Sequence, residues 1–213
     1  MKLLLGAADL YKIAVSSYES TQDDLPERAP RDDHEAIVAI VFAALALEGF
    51  INEFATFAVG SDVPVNIRAF GTLAQQVEEN QGSPALKLLL ASALLVGRPY
   101  EKGQPPYQDF QLLMRVRNAI AHPKMEEFYV GDNDRILIRP KAMIEHLRSK
   151  NITALNPSEE GRMPLLTLIN TRAAAKWACN TTADMVQSIM EMITASRFKL
   201  ALTIYANVIR RVT

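Results

Sequence analysis

Residues 35–59, EAIVAIVFAALALEGFINEFATFAV, decide the fold of this chain. Apolar side chains fall on nearly all sides of a helix drawn through them, and such a helix has to be surrounded by other helices. The longest apolar run, residues 36–47, ends at Glu48 and is shorter than the roughly 18 residues that span a bilayer. We therefore expect a helix over about residues 33–59 at the centre of a bundle, and not in a membrane.

Two polar residues interrupt this apolar segment on one side of the helix. Glu48 and Asn52 are four residues apart, and residues at that spacing share a helix face. A carboxylate buried on that face needs a hydrogen-bond donor, and Arg117 of another apolar segment is the candidate. The alternative is that Glu48 faces solvent along one narrow side of the helix. Glu48 and Asn52 are therefore expected to support a site that contains Arg117.

Arg117 belongs to a second apolar segment, residues 110–124, which reads FQLLMRVRNAIAHPK. At 3.6 residues per turn the apolar side chains form one stripe, and Arg117 falls inside it. An arginine there is rarely buried without a partner, so it either pairs within the fold or lines a cleft. Pro123 pushes the residue before it out of the α region. The helix predicted for residues 107–122 therefore places His122 at or just past its end.

The composition indicates a single helical domain over residues 1–213, with enough apolar residues for a core. Apolar residues make up 49% of the chain, and the formal net charge is −1. A nucleic-acid partner would have to be held by a local basic patch or by a cleft between two copies. Cys179, the single cysteine, lies in an apolar helical pattern, which favours a reduced, buried thiol. The start of the chain is unlike a signal peptide, so we expect a cytoplasmic protein.

Helical patterns account for most of the remaining chain. Ser83 and Pro84 predict the start of one helix, and Gly97 predicts its end. A long helical region is predicted over about residues 165–193. Further helices are expected over residues 3–20, 67–80, 140–150 and 196–212. The expected fold class is all-α.

One segment has a strand pattern instead. Two short runs of β-branched and aromatic residues flank the four-residue turn GDND within residues 126–138. A lone hairpin is marginal by itself and has to pack on the helices. We expect a small β-hairpin insertion directly after the helix of residues 107–122.

The chemistry available to the second apolar segment is proton transfer and phosphate binding. His122 can transfer protons, because the unperturbed pKa of a histidine side chain is near 6.5, and a helix C-terminus favours the cationic form of a histidine. Arg117 offers planar, permanently charged donors that suit a phosphate, and Asn118 can donate to that phosphate or orient the histidine. Arg115 and Lys124 are the expected substrate-binding residues, because they add positive charge nearby. With no glycine-rich phosphate loop and no Cys/His metal spacing, neither a cofactor nor a metal is expected.

Residues 117–122, RNAIAH, resemble the motif of the HEPN superfamily, which is an arginine, a polar residue, three further residues and a histidine at the end of an apolar helix. Residues 44–53 are similar to the first core helix of many bacterial members, and residues 176–178 and 185–186 are similar to a later helix. The resemblance implies an up-and-down helical bundle that dimerises with the motif helices face to face. Many members are metal-independent endoribonucleases, several of them in toxin–antitoxin or phage-defence systems, whereas others have lost activity and only bind.

Lys124 is a departure from one part of that family. A subset of the toxins carries a tyrosine two residues after the histidine, and this chain has a lysine there. The lysine argues against the subgroup whose tyrosine is modified by a partner nucleotidyltransferase.

Two hypotheses about function follow. In the first, the chain is a homodimeric endoribonuclease in which the RNA 2′-OH attacks the phosphate and two copies of His122 act as base and acid. The products would be a 2′,3′-cyclic phosphate and a 5′-OH, and an antitoxin protein would be a further partner. In the second, the chain is a non-catalytic module that binds a nucleotide or a partner protein, Arg117 and Glu48 form a structural pair, and His122 is a helix cap.

Overall fold

The computed structural model describes residues 6–21, 26–60, 62–122, 141–154, 164–194 and 196–213. Within these residues the chain forms nine helices and no strand. The helices are α1 (Gly6–Ser20), α2 (Glu35–Ala58), α3 (Val65–Glu79), α4 (Pro84–Val96), α5 (Tyr107–Ala121), α6 (Lys141–Ser149), α7 (Leu165–Ile169), α8 (Arg172–Met192) and α9 (Ser196–Val208). The all-α class is confirmed, whereas the hairpin expected over residues 126–138 lies outside the described residues.

The α2 helix lies at the centre of the bundle, as its apolar sequence predicts. It packs against α1, α3, α5 and α8, with smaller contacts to α4 and α7. By length and composition α2 could cross a membrane, with a mean hydropathy of 1.9, but half of that apolar window is buried among the other helices. The core helix of a soluble protein passes the same test of length and hydropathy. The contacts of α2 are those of a core helix.

Polar and aromatic contacts join α2 to both ends of the chain. The Phe50 ring packs edge-on against Tyr205 of α9, with 5.2 Å between the ring centroids. Glu53 accepts a hydrogen bond from the Tyr205 hydroxyl and another, of 3.2 Å, from the backbone N–H of Ala7. Since the first N–H groups of a helix lack partners within it, Glu53 stabilises the start of α1.

The boundaries of α4 match the expectation from sequence. Ser83 is the N-cap, and its side chain accepts a hydrogen bond from the backbone N–H of Leu86 at 3.3 Å. Pro84 is the first helical residue, where its missing N–H costs nothing. Gly97 ends the helix in the left-handed region at φ 83°, which favours glycine.

The long helical region expected over residues 165–193 is confirmed, and Asn170 and Thr171 divide it into α7 and α8. Thr171 is the N-cap of α8, and its hydroxyl accepts a hydrogen bond from the backbone N–H of Ala174 at 3.1 Å. The Asn170 side chain donates to the backbone carbonyl of Arg31 at 3.0 Å. In a continuous helix the N–H of Ala174 would instead bond to a backbone carbonyl of the preceding turn, and the Asn170 side chain would not be placed to reach Arg31. The side chains of Thr171 and Asn170 thus compete with the helix for backbone hydrogen bonds, and they separate α7 from α8.

Candidate functional site

The α5 helix has one buried face and one exposed face. Phe110, Leu113 and Val116 are fully buried against the core. Asn118 and the Arg115 side chain on the opposite face are exposed. Three of the expected site residues lie on the exposed face at spacings of three and four, which places them in one row. They are Arg115, Asn118 and His122.

Arg117 lies at the edge between the two faces and binds Glu48 of α2, which confirms the predicted pair. The guanidinium Nη2 donates to Glu48 Oε2 in a close ion pair. The pair is only partly buried, since 21% of the Arg117 side chain and 31% of the Glu48 side chain remain exposed. Arg117 Nε is buried, and it has no hydrogen-bond partner among the described residues. Glu48 therefore holds the guanidinium at the edge of α5 without covering it.

Asn52 does not support Arg117 directly, because it binds a lysine that the sequence pattern had not singled out. Lys87 of α4 donates to Asn52 Oδ1 at 2.6 Å and forms a close ion pair with Glu78 of α3. The Lys87 side chain is 2% exposed. A lysine inside the apolar segment ALKLLLA of residues 85–91 is the same signal that identified Arg117. One face of α2 thus receives two cations, one helical turn apart.

His122 is the C-cap of α5 and is exposed. Its backbone N–H donates to the carbonyl of Asn118 at 2.9 Å, and its dihedral angles, φ −129° and ψ 67°, are not helical. Five residues of α-helix separate it from Arg117, which corresponds to a turn of about 140° and a rise of about 7.5 Å. Within the described residues no hydrogen bond joins the two side chains. One copy of the chain therefore points Arg117 and His122 in different directions.

The two expected substrate-binding residues can be only partly located. Arg115 is exposed, and its Nε donates to the carbonyl of Gln111 at 3.4 Å. Lys124 lies outside the described residues. The pKa of His146 in α6 is lowered, first by burial and then by the positive charges of Lys150 and Arg115. The carboxylate of Asp109 has the opposite effect on this pKa.

Metal and thiol chemistry have little support in the described residues. No group of three or more histidine, cysteine, aspartate or glutamate side chains is placed there to hold a metal ion. Cys179 is fully buried, as expected, and burial raises the pKa of its thiol to about 12. The thiol is therefore protonated at neutral pH and is a poor nucleophile.

A separate groove of about 310 Å³ lies between the end of α4 and the end of α8. The Tyr100 hydroxyl is 3.0 Å from Ser188 Oγ in its wall, and burial raises the pKa of Tyr100 to about 12. Arg98 and Glu191 also line the groove. None of the residues expected from sequence lies in it.

Comparison with known proteins does not add to this geometry. No family model, no curated protein and no solved structure matches the chain. The site is therefore defined by α5 itself: a guanidinium held by Glu48 at the edge of a helix whose exposed face ends in His122.

Proposed function

We propose that the protein is a metal-independent endoribonuclease that acts as a homodimer through the exposed face of α5. The observation that carries the proposal is the state of Arg117, which is ion-paired to Glu48 while part of its side chain stays exposed. A carboxylate that holds a guanidinium in this way leaves the other guanidinium donors available to an incoming phosphate. Asn118 and His122 lie exposed on the same helix.

The chemistry needs only groups that this helix provides. RNA carries its own nucleophile, the 2′-OH, so the protein must remove that proton, protonate the leaving 5′-oxygen and stabilise the charge on phosphorus. His122 transfers the protons, Arg117 binds the phosphate oxygens, and Asn118 donates a further hydrogen bond. The 2′-oxygen forms a bond to phosphorus as the bond to the 5′-oxygen breaks, which yields a 2′,3′-cyclic phosphate and a 5′-OH.

A second copy of the chain supplies the second histidine that the reaction needs. A single copy has one histidine on this face and points it away from its own Arg117 by about 140°. A two-fold axis beside α5 would bring two copies of Arg117 and two of His122 to one shared phosphate, with one histidine as base and the other as acid.

The biological setting that we propose is a toxin or phage-defence component held in check by an antitoxin protein. The support for it is the resemblance of residues 117–122 to the HEPN motif. Expression of the wild type in a bacterial host should arrest growth, whereas expression of His122→Ala should not. Growth arrest by both proteins would contradict this setting.

Two observations favour an alternative, non-catalytic function. His122 is the C-cap of α5, and the Arg117–Glu48 pair joins α5 to α2. Both features are what a structural role requires, and in that case the protein is a non-catalytic module that binds a nucleotide or a partner protein.

RNA cleavage in the presence of EDTA separates the two functions. We expect the wild type to cut RNA under chelation and His122→Ala to lose at least 100-fold in rate, because the substitution removes both the base and the acid from the shared site. His34→Ala is the matched control, because His34 is exposed at the start of α2 and far from α5 in sequence. Arg117→Lys keeps the charge but loses the planar donors, and it should also reduce the rate. A folded wild type that cuts no RNA would favour the binding module.

A further inference from the structure

The α4 helix presents an apolar face to solvent, and this face carries no charged side chain. The one ionisable residue of the helix is Lys87, whose side chain is 2% exposed. Leu86 is 45% exposed and Val96 is 50% exposed, and the residues between them at helical spacing complete a stripe. We call this the α4 stripe, and it consists of Leu86, Leu89, Leu90, Ala93 and Val96, all of them exposed or half-buried. A contiguous exposed apolar surface of this kind marks an interaction site.

A second exposed apolar surface, on α9, differs from the α4 stripe in its charge. Leu200 is 74% exposed and Ile204 is 48% exposed. The α9 helix also contains Arg197 and Lys199 and has no acidic residue. Two copies of a basic surface repel each other, whereas an uncharged surface is complementary to itself. Of these two surfaces, the α4 stripe is therefore the one that can pair with its own copy.

The α4 helix also lacks the features of a helix that binds lipid. It has 13 residues, fewer than the roughly 20 that span a bilayer. Helices that lie on a membrane surface carry exposed lysine and arginine beside their apolar face. The single lysine of α4 is instead buried in an ion pair with Glu78 of α3. The α4 stripe therefore favours a protein surface as its partner.

The exposed row of α5 needs an apolar surface beside it if two copies of the chain are to meet there. Arg115, Asn118 and His122 are polar, so they bury little apolar area in a contact. Stable interfaces between proteins have a desolvated apolar centre, with polar groups at the rim. The polar row of α5 can form the site of the proposed ribonuclease, but another surface has to hold the two copies together.

The α4 helix is a neighbour of α5 and can supply that surface. The Tyr107 hydroxyl at the start of α5 donates to the carbonyl of Ala85 in α4 at 3.5 Å. Lys87 of α4 and Arg117 of α5 bind Asn52 and Glu48, which lie one turn apart on the same face of α2. An interface on the α4 stripe is therefore close to the helix that carries the proposed site.

We propose that two copies of the chain pair through the α4 stripe, which forms the apolar centre of the dimer. The choice of a second copy as the partner rests on the proposed function, because the proposed site is incomplete in one chain. In a two-fold dimer the same patch of each copy meets the other, and the uncharged α4 stripe can do so without burying a charge.

Sedimentation velocity of the full chain over a range of concentrations tests the pairing. Leu86→Glu and Ala93→Glu place a charge on the α4 stripe. Leu200→Glu is the matched control, because it places the same charge on an exposed apolar position of α9. Leu86→Ala is included because it removes apolar area without adding a charge. Circular dichroism checks that each variant is folded.

We expect a wild-type dimer at micromolar concentration. Each glutamate variant should weaken the dimer at least 100-fold (roughly), because two copies of an unpaired carboxylate would be buried. Leu86→Ala should weaken it about 10-fold, since apolar contact is lost from both copies. Leu200→Glu should dimerise as the wild type does.

Three results would overturn the pairing. One is a dimer that Leu86→Glu, Ala93→Glu and Leu86→Ala leave unchanged. Another is dissociation by Leu200→Glu to the same degree as by the substitutions on the α4 stripe. The third is a wild type that stays monomeric at 100-fold (roughly) above micromolar concentration. Sedimentation of that monomer with phosphatidylcholine vesicles would show that the α4 stripe binds lipid instead.

RNA cleavage by the same proteins separates this inference from the proposed function. If substitutions on the α4 stripe dissociate the dimer but the wild type cuts no RNA, the interface stands and the ribonuclease is wrong. If the wild type cuts RNA and those variants remain dimers, the ribonuclease stands and the interface is wrong. If the dissociated variants cut RNA at the wild-type rate, the interface stands and the shared site is wrong.

Discussion

Lys87 is a charged side chain in an apolar environment, and its partners determine how much its burial destabilises the folded protein. Its ammonium is almost completely buried, with Asn52 at 2.6 Å and Glu78 as its ion-pair partner. Glu78 itself is 61% exposed, so the pair reaches solvent on one side only. A buried charge that loses its counter-ion is more costly than the pair is stabilising.

Replacement of Glu78 by alanine should therefore destabilise the protein by roughly 1–2 kcal/mol, a value reduced from that of a fully buried pair by the exposure of Glu78. The adjacent Glu79 is exposed, and Glu79→Ala should stay within about 0.5 kcal/mol of the wild type. Urea unfolding of both variants measures the difference. Equal midpoints for Glu78→Ala and Glu79→Ala would show that Asn52 alone satisfies the lysine.

The single side chain of His146 makes the stability of the protein depend on pH. Burial, followed by Lys150 and Arg115, lowers its pKa below the ordinary value of 6.5, so the unfolded chain takes up the proton first as pH falls. The contribution of His146 to stability is therefore fully present above pH 6.5 and is lost as the pH falls towards its lowered folded-state pKa.

We expect the urea midpoint of the wild type to fall more than that of His146→Gln between pH 7.5 and pH 5.5. His34→Gln serves as the control, and its pH dependence should follow that of the wild type. Parallel curves for the wild type and His146→Gln would contradict the lowering of the His146 pKa by burial.

At the scale of elements, the contact between α2 and α3 depends on a glycine. A Cβ at Gly71 would lie 2.8 Å from the Ala58 carbonyl carbon and 2.9 Å from the Ala55 oxygen, both of them backbone atoms of α2. Backbone cannot move aside as a flexible side chain can, so α3 approaches α2 this closely only because residue 71 has no side chain.

Gly71→Ala should destabilise the protein by roughly 1–3 kcal/mol, because overpacking outweighs the better helix propensity of alanine. Gly103→Ala is the matched control, because a Cβ there meets nothing within 4 Å. Thermal or urea unfolding of the two variants gives the comparison. A Gly71→Ala protein as stable as Gly103→Ala would mean that α3 can shift along α2 without loss.

At the scale of the whole molecule, the proposed active site requires two chains. An equilibrated mixture of wild type with a nine-fold excess of His122→Ala leaves about one wild-type chain in ten in a wild-type dimer. Activity per wild-type chain should then fall to about one-tenth, because each shared site needs both histidines. The same excess of an unrelated protein is the control. Unchanged activity per wild-type chain would show that the site is complete within one chain.

Local signals in the sequence determined both boundaries of α4 and the end of α5. Ser83, Pro84 and Gly97 define α4, and His122 before Pro123 marks the end of α5. These signals act within a few residues of the chain, since a cap or a proline changes the partners of the nearest backbone groups. The apolar composition of residues 35–59 likewise determined that α2 is the core helix, because such a surface cannot face water.

The tertiary structure decided where the buried charges find partners. Arg117 and Glu48 could be matched from sequence because each is a lone charge in an apolar stripe. Asn52, in contrast, accepts a hydrogen bond from Lys87 of α4, which the sequence pattern did not predict. The break at Asn170 depends in the same way on the carbonyl of Arg31, which is distant in sequence. Partners that are distant in sequence are set by how the helices pack, and the pattern of a single segment does not contain that information.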